Sequence, residues 1–346
     1  MPSTGSRPMT TANENSESPR GLLHRVIGHA KWPLWLAGIG LFIGLILSQG
    51  TDEILAALAR VGWAVLPISA FQAVPMMLNT LGWYLLIDKG EGPNLGRLFL
   101  IRWVGQSVNN MLPVGQVGGD MLRARLLAHY SPRRSTAAAT VMVDFTLAIL
   151  AQALFTIVGV LLLVSAVGFK EQTQNLMLWT LLAIIPLIMF YVVQRLGMIG
   201  LGAKLAHKLL PGDKWQQMIG GAHAMDEAVR KLYTHHVRVF SSSILRLMAW
   251  FAGAVETWLI FYFLGMPITW VDAIILESIA YAARSIGFAI PGALGVTEGA
   301  LMLVGSMLGI GAGPSLAMAM VKRVRELLTG IPGLLVWMSM ERKPDS

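Results

Sequence analysis

The sequence predicts an all-α fold: a polytopic integral membrane helical bundle with two Pro/Gly-broken, re-entrant elements arranged as an inverted repeat. Three observations predict it. The 346-residue chain is 55% hydrophobic and 13% charged, about half the charged share of a soluble protein, and its mean hydropathy is +0.60. Its apolar residues come in runs, several of which reach the ~20 residues a membrane-spanning helix needs. Two further apolar stretches are interrupted by proline and clustered glycine.

The elements follow in order. Residues 1–31 are polar and then basic (Arg20, Arg25, Lys31), a disordered cytoplasmic tail leading into the membrane. Residues 32–340 form a single transmembrane domain, and 341–346 a short cytoplasmic tail. Spans are expected at 32–49, 62–87, 136–167, 176–193, 240–264 and 315–340. Residues 194–238 hold seven Lys/Arg, three acids and four of the seven histidines. Leu201, Leu205 and Leu209 share a helical face there, and Asp226/Arg230 and Glu227/Lys231 stand four apart. This reads as an amphipathic cytoplasmic insertion. Its histidines lack metal-ligand spacing. Trp32, Trp63, Trp179, Trp270 and Trp337 sit near helix ends as interface anchors.

Basic residues cluster in 88–97, 123–134, 194–238 and at both termini, so the positive-inside rule places these in the cytoplasm and 50–61, 168–175 and 265–271 outside. That solution requires each interrupted stretch to return to the side it entered from. The first is "NNMLPVGQVGGDMLRARLL" (109–127) and the second "SIGFAIPGALGVTEGALML" (285–303). In the first, Pro113 is followed by Gly115, Gly118, Gly119 and Asp120. In the second, Pro291 is followed by Gly292, Gly295 and Glu298. Each acid lies seven residues after its proline, and each motif follows an apolar helix carrying an arginine, Arg102 or Arg284. Non-helical backbone at membrane depth survives only against protein or a water-filled cavity, and broken helices commonly build transport sites. Two inverted re-entrant elements meeting in the membrane, or two kinked helices that merely pack, both fit the pattern.

The charges within apolar segments are the candidate site, because an ionisable group at membrane depth costs about 2.5–3.5 kcal/mol on insertion scales. At about 100° per residue, Lys322, Arg323, Arg325 and Glu326 share an arc, and Lys322/Glu326 are an i,i+4 pair. They are either a cationic lining for a lipid head group or interfacial charges after a helix ending near Val321. Asp120 and Glu298 are first-turn carboxylates favoured by the helix dipole, with added roles in proton uptake or head-group binding. Arg123 stands one turn after Asp120. Asn109 and Asn110 satisfy broken backbone. Glu277 and Arg284, seven apart, are placed to meet across a cavity. Asp144, Gln152 and Glu256 also lie in apolar surroundings.

Other classes are excluded. The formal net charge of +8 is placed for a membrane surface and not for nucleic acid. No cysteine is present, so thiolate chemistry and cysteine-bound metal are absent. No P-loop, His-Glu-x-x-His or Gly-x-Ser-x-Gly motif occurs. No cofactor and no metal site is expected.

With the two glycine motifs and "KRVRELLTGIPGLLVW" (322–337) in view, the chain resembles the lysylphosphatidylglycerol synthase transmembrane region family, which is flippase-like. Residues 284–303 and the C-terminal run are most similar to its hopanoid-biosynthesis-associated branch. The resemblance covers roughly 30–340. It implies a multi-pass protein of the bacterial inner membrane that translocates or exports a lipid, with hopanoid as the cargo of that branch. Phospholipid is the alternative, since an Arg/Lys-lined site suits a phosphate better than a neutral polyol. The expected partners are membrane lipids and proteins of hopanoid biosynthesis or export, for which the chain is alternatively a scaffold. Lysyl transfer requires a soluble catalytic domain after the membrane part, so no enzyme activity is expected here.

Overall fold

Apolar runs and their caps set the helices. The computed structural model of the protein describes residues 59–112, 118–131, 133–168, 189, 191–192, 215–287, 290 and 293–341. Among these residues every regular element is helical. A 3-10 turn at Gly62–Ala64 leads into α1 (Val65–Phe71) and α2 (Ala73–Tyr84). The two are parted at Gln72 because Pro75 has no N–H for the carbonyl a turn earlier. Then come α3 (Leu95–Met111), α4 (Gly118–Ala128), α5 (Arg134–Val167), α6 (Trp215–Thr234), α7 (His236–Phe263), α8 (Trp270–Ile286), α9 (Val296–Met307) and α10 (Ala312–Glu341). Ala59–Tyr84, α5 and α7 are long and apolar enough to cross a membrane.

Local chemistry explains the starts and stops. The Asn94 side chain accepts from Arg97 N at 3.0 Å and opens α3. Thr269 and Asp272 form a reciprocal capping box at α8. At α9, Gly295 has φ +79°, and its N–H donates to Glu298 Oε2 at 2.8 Å. Pro332 lies inside α10. A turn before the proline ring, Trp103 Nε1 donates to the Thr329 carbonyl at 2.8 Å.

Three apolar clusters fix the direction of each helix. At one end of the bundle, Trp83, Leu98, Leu127 and Ala137 pack together with Leu334 and Trp337. Beside them, Leu86, Ala139, Val143 and Leu147 pack with Val229, Leu232 and Val239. At the other end, Val61, Val164, Phe261, Leu264, Ile275, Val304 and Leu316 share a cluster. The span 59–84 therefore runs from the second end to the first. α3 leaves the first end and α4 returns to it, where Arg97 lies over the Tyr130 ring. α5 and α7 both run from the first end to the second. α8 leaves the second end, α9 returns to it, and α10 runs back to the first.

The order span, hairpin, long helix thus occurs twice with opposite sense: 59–84, α3–α4, α5, and then α7, α8–α9, α10. Packing follows the same exchange. α3 lies against α10 while α8 lies against α5, and the two lead spans α2 and α7 face each other. Small residues permit these approaches: Gly333 of α10 meets Ser107 of α3, and Gly159 of α5 meets Ser278 of α8.

Several expectations are corrected. α10 continues through Lys322–Glu326 to Glu341, so these charges do not follow a helix end. α6, within the amphipathic insertion, docks on α5 with Val229 buried. Lys231 reaches Asp88 at 3.4 Å, not Glu227. Trp337 packs against the first-end cluster, whereas Trp63 and Trp270 stay exposed. The expected helix 32–49, most of 176–193, and Pro113, Gly115, Pro291 and Gly292 lie outside the described residues.

Candidate functional site

Two buried charge clusters lie along the bundle. The first centres on Asp144 of α5, which is 1% exposed. Arg102 of α3 donates to both its oxygens at 2.9 and 2.8 Å, Arg123 of α4 donates at 2.5 Å, and Arg246 of α7 donates as well. Arg123 also pairs with Asp120 at 2.6 Å. The fully buried Trp83 ring lies 4.2 Å from the Arg123 guanidinium carbon and 5.4 Å from that of Arg102, close enough for cation–π attraction. Asn109 Oδ1 accepts from Gly119 N at 2.7 Å. It thereby fills an orphan donor near the start of α4.

The second cluster joins α7, α8, α9 and α10. Lys322 pairs with Glu277, which also accepts from Thr257. Arg284 pairs with Glu326 at 2.6 Å. Arg323 donates to Glu298 at 2.9 and 2.8 Å and to Glu326 at 3.0 Å. Arg325 donates to Glu256 at 3.1 Å and to Gln72, at the α1–α2 break, at 2.5 Å. The expected contacts within single helices are replaced: Lys322 and Glu326 do not pair with each other, and neither do Glu277 and Arg284. All four instead pair between α8 and α10.

The clusters are related by the repeat. Arg102–Asp144 and Arg284–Glu326 each join the first helix of a hairpin to the long helix that follows it. Each pair spans 42 residues. The hairpins meet where Asn110, in the last turn of α3, accepts from Arg284 at 3.0 Å. Asn110 therefore serves the junction through its side-chain oxygen. Beside this junction lies a cavity of about 200 Å³ lined by Gln106, Asn110, Gln152, Arg284, Arg325 and Glu326 among others, room for several waters or one polar group. Gln152 Nε2 donates to the Tyr281 carbonyl at 3.2 Å and to Ser285 Oγ at 2.7 Å.

Gly118 and Gly119 begin α4, and a Cβ on Gly119 would strike the Gly105 carbonyl and Asn109. Sequence reasoning missed Arg246, Gln72, Trp83, Gln106 and Tyr281. Arg246 had a signal, as a lone cation within the apolar run 244–264. The others look like ordinary helix residues until the fold gathers them.

A family model described as the lysylphosphatidylglycerol synthase TM region matches residues 35–333. The chain belongs to this family. The match takes in both hairpins, both charge clusters and the cavity. A UPF0104 membrane protein of Pyrococcus horikoshii is 23% identical over 318 residues, 87% of this chain and 90% of that protein. One of Methanothermobacter thermautotrophicus is 24% identical over 319 residues, 84% and 89% respectively. No solved structure matches. The resemblance read from the glycine motifs is thus a family membership, and the lysylphosphatidylglycerol synthase TM region is the frame for what the site does.

Proposed function

We propose that this protein translocates a lipid across the bacterial inner membrane, taking the head group into the cavity where the two hairpins meet. The observation that carries the reading is the junction itself: two oppositely directed hairpins joined through Asn110 and Arg284 beside a polar cavity. In a bilayer both hairpins are re-entrant, and inverted repeats meeting at a central polar site are a recurrent transporter plan. Lipid tails need only an apolar outer surface. Leu154, Leu161, Phe251, Leu303 and Leu335 provide it, each exposed on a helix of the bundle.

Charge supports an orientation. Lys89, Arg97, Arg125, Arg133, Arg134, Arg230 and Arg238 gather at the first end, and among the described residues the second end carries Arg60. The first end is then cytoplasmic, with both termini on that side. The protein acts as a carrier and not as an enzyme. Its cargo is a hopanoid for delivery toward the outer membrane, a reading supported by the likeness at 284–303. Phospholipid is the second reading, favoured by Arg284 and Arg325 in the cavity wall.

The test compares hopanoid content of inner and outer membranes in cells with the gene, without it, and with Glu298→Gln. Hopanoid retained in the inner membrane at unchanged total synthesis supports export, and an equally defective Glu298→Gln strain places the site at the second hairpin. Unchanged distribution removes the hopanoid assignment, and phospholipid leaflet asymmetry is then measured in the same strains. A role as scaffold for lipid-synthesis enzymes predicts instead that total synthesis falls.

A further inference from the structure

Glu256 is bonded on one side only. Its Oε2 accepts from Arg325 at 3.1 Å, and its Oε1 is the only buried carboxylate oxygen without a partner among the described residues. The side chain is 1% exposed. The charged groups facing it are Arg325, Lys322 and Glu326 from α10 and Glu277 from α8. From the α1–α2 break Gln72 reaches the same guanidinium. The nearest acid of α5, Asp144, is held by Arg246, ten residues before Glu256 on α7 and so about 15 Å away along the axis.

The second cluster is charge-balanced when ionised. Arg284, Lys322, Arg323 and Arg325 face Glu256, Glu277, Glu298 and Glu326. Only Arg325 both lines the cavity and pairs with an acid outside it. A proton on Glu256 breaks that pair, leaves the wall with one excess positive charge, and frees an Arg325 N–H for an oxygen in the cavity.

We propose that Glu256 is a proton-binding site coupled to the head-group cavity, so that a proton and a lipid occupy the protein together. The proposal rests on the translocation reading. The proton adds to a Glu256 carboxylate oxygen, the Glu256–Arg325 ion pair breaks, and Arg325 donates to a phosphate or hydroxyl oxygen of the head group. On the far side the proton leaves, Arg325 returns to Glu256, and the head group is expelled. By linkage each ligand must raise the affinity of the other by the same factor.

The experiment uses the full chain in proteoliposomes, with labelled phosphatidylglycerol and a labelled hopanoid polyol as separate probes, with and without a one-unit pH difference. Transport between leaflets without a gradient tests the translocation reading alone. With the gradient, one proton per lipid gives up to about tenfold accumulation in one leaflet. Glu256→Gln is expected to lose accumulation under the gradient, and Glu256→Asp to keep it. Proton uptake by detergent-solubilised protein on adding the transported lipid is expected in wild type and absent in Glu256→Gln. Wild-type exchange indifferent to the gradient overturns the coupling and leaves translocation standing. So does accumulation that survives in Glu256→Gln. No exchange of either probe by wild type overturns both.

Discussion

Asp144 gathers three guanidinium groups where water does not reach. With Asp120 included, the cluster holds Arg102, Arg123 and Arg246 against two carboxylates. Removing a shared counter-charge leaves buried cations uncompensated, at a cost of about 3–5 kcal/mol. Asp144→Asn is therefore expected to lower the melting temperature in detergent by many degrees. A change within about 2 °C, the shift that about 1 kcal/mol or less would give, would show that the cluster does not hold the helices. That Asp144 needs partners was legible, because a charge in an apolar run is costly. Which partners was not. They stand 42, 21 and 102 residues away, and no helical spacing rule reaches so far. For the same reason the i,i+4 reading of Lys322 and Glu326 failed: interhelical carboxylates and cations offered both residues closer geometry.

The elements were easier to read than their contacts. Among the described residues, apolar runs mark the spans 62–87, 136–167, 240–264 and 315–340 to within a few residues, and the glycine motifs fall between α3 and α4 and between α8 and α9. The motifs also hold the reason for their glycines. A side chain on Gly119 meets backbone, not a flexible tip, so Gly119→Leu forces α3 and α4 apart. It is expected to cost at least about 1–3 kcal/mol and to reduce the yield of monodisperse protein. Gly96, near the start of α3, has only Asn94 Oδ1 at 3.9 Å. Gly96→Ala should be neutral or stabilising by up to about 1 kcal/mol, and equal losses in both variants would refute the close-approach argument. At the edge of the bundle Asp88 ties the α2–α3 loop to α6 and α7. Its carboxyl is held below the usual range by the hydrogen bond from Arg238 against the opposing effect of burial, with Lys231 adding to the depression. A depressed acid stabilises fully above its unfolded value, about pH 3.9, and loses that contribution as pH falls through the folded value. For a partly exposed bridge this is about 0.2–1 kcal/mol. Asp88→Asn should thus lower the melting temperature slightly at pH 7 and converge on wild type as the pH falls through the depressed folded value. A difference unchanged with pH would exclude the ion pair as its source.

At the scale of the whole molecule, the repeat is written in the sequence as a short degenerate motif and in the structure as paired directions, exchanged packing and two ion pairs of equal span. The motif alone does not distinguish inverted hairpins from kinked helices, because both place proline and glycine between apolar segments. The hairpins are distinguished by where their ends gather: Leu98 with Leu127 in one apolar cluster, and Ile275 with Val304 in another at the opposite end. This makes a prediction that the cysteine-free sequence renders simple to test. Single cysteines are placed before and after each hairpin, as Lys89→Cys and Tyr130→Cys for the first and Met266→Cys and Ile310→Cys for the second. A membrane-impermeant thiol reagent should reach Lys89→Cys and Tyr130→Cys from one face of the membrane only, and Met266→Cys and Ile310→Cys from the other. If the two positions flanking either hairpin label from opposite faces, that hairpin is a full crossing. The directions of α5 and α10 then no longer mirror each other, and the exchange symmetry that places Arg284 opposite Asn110 loses its topological basis.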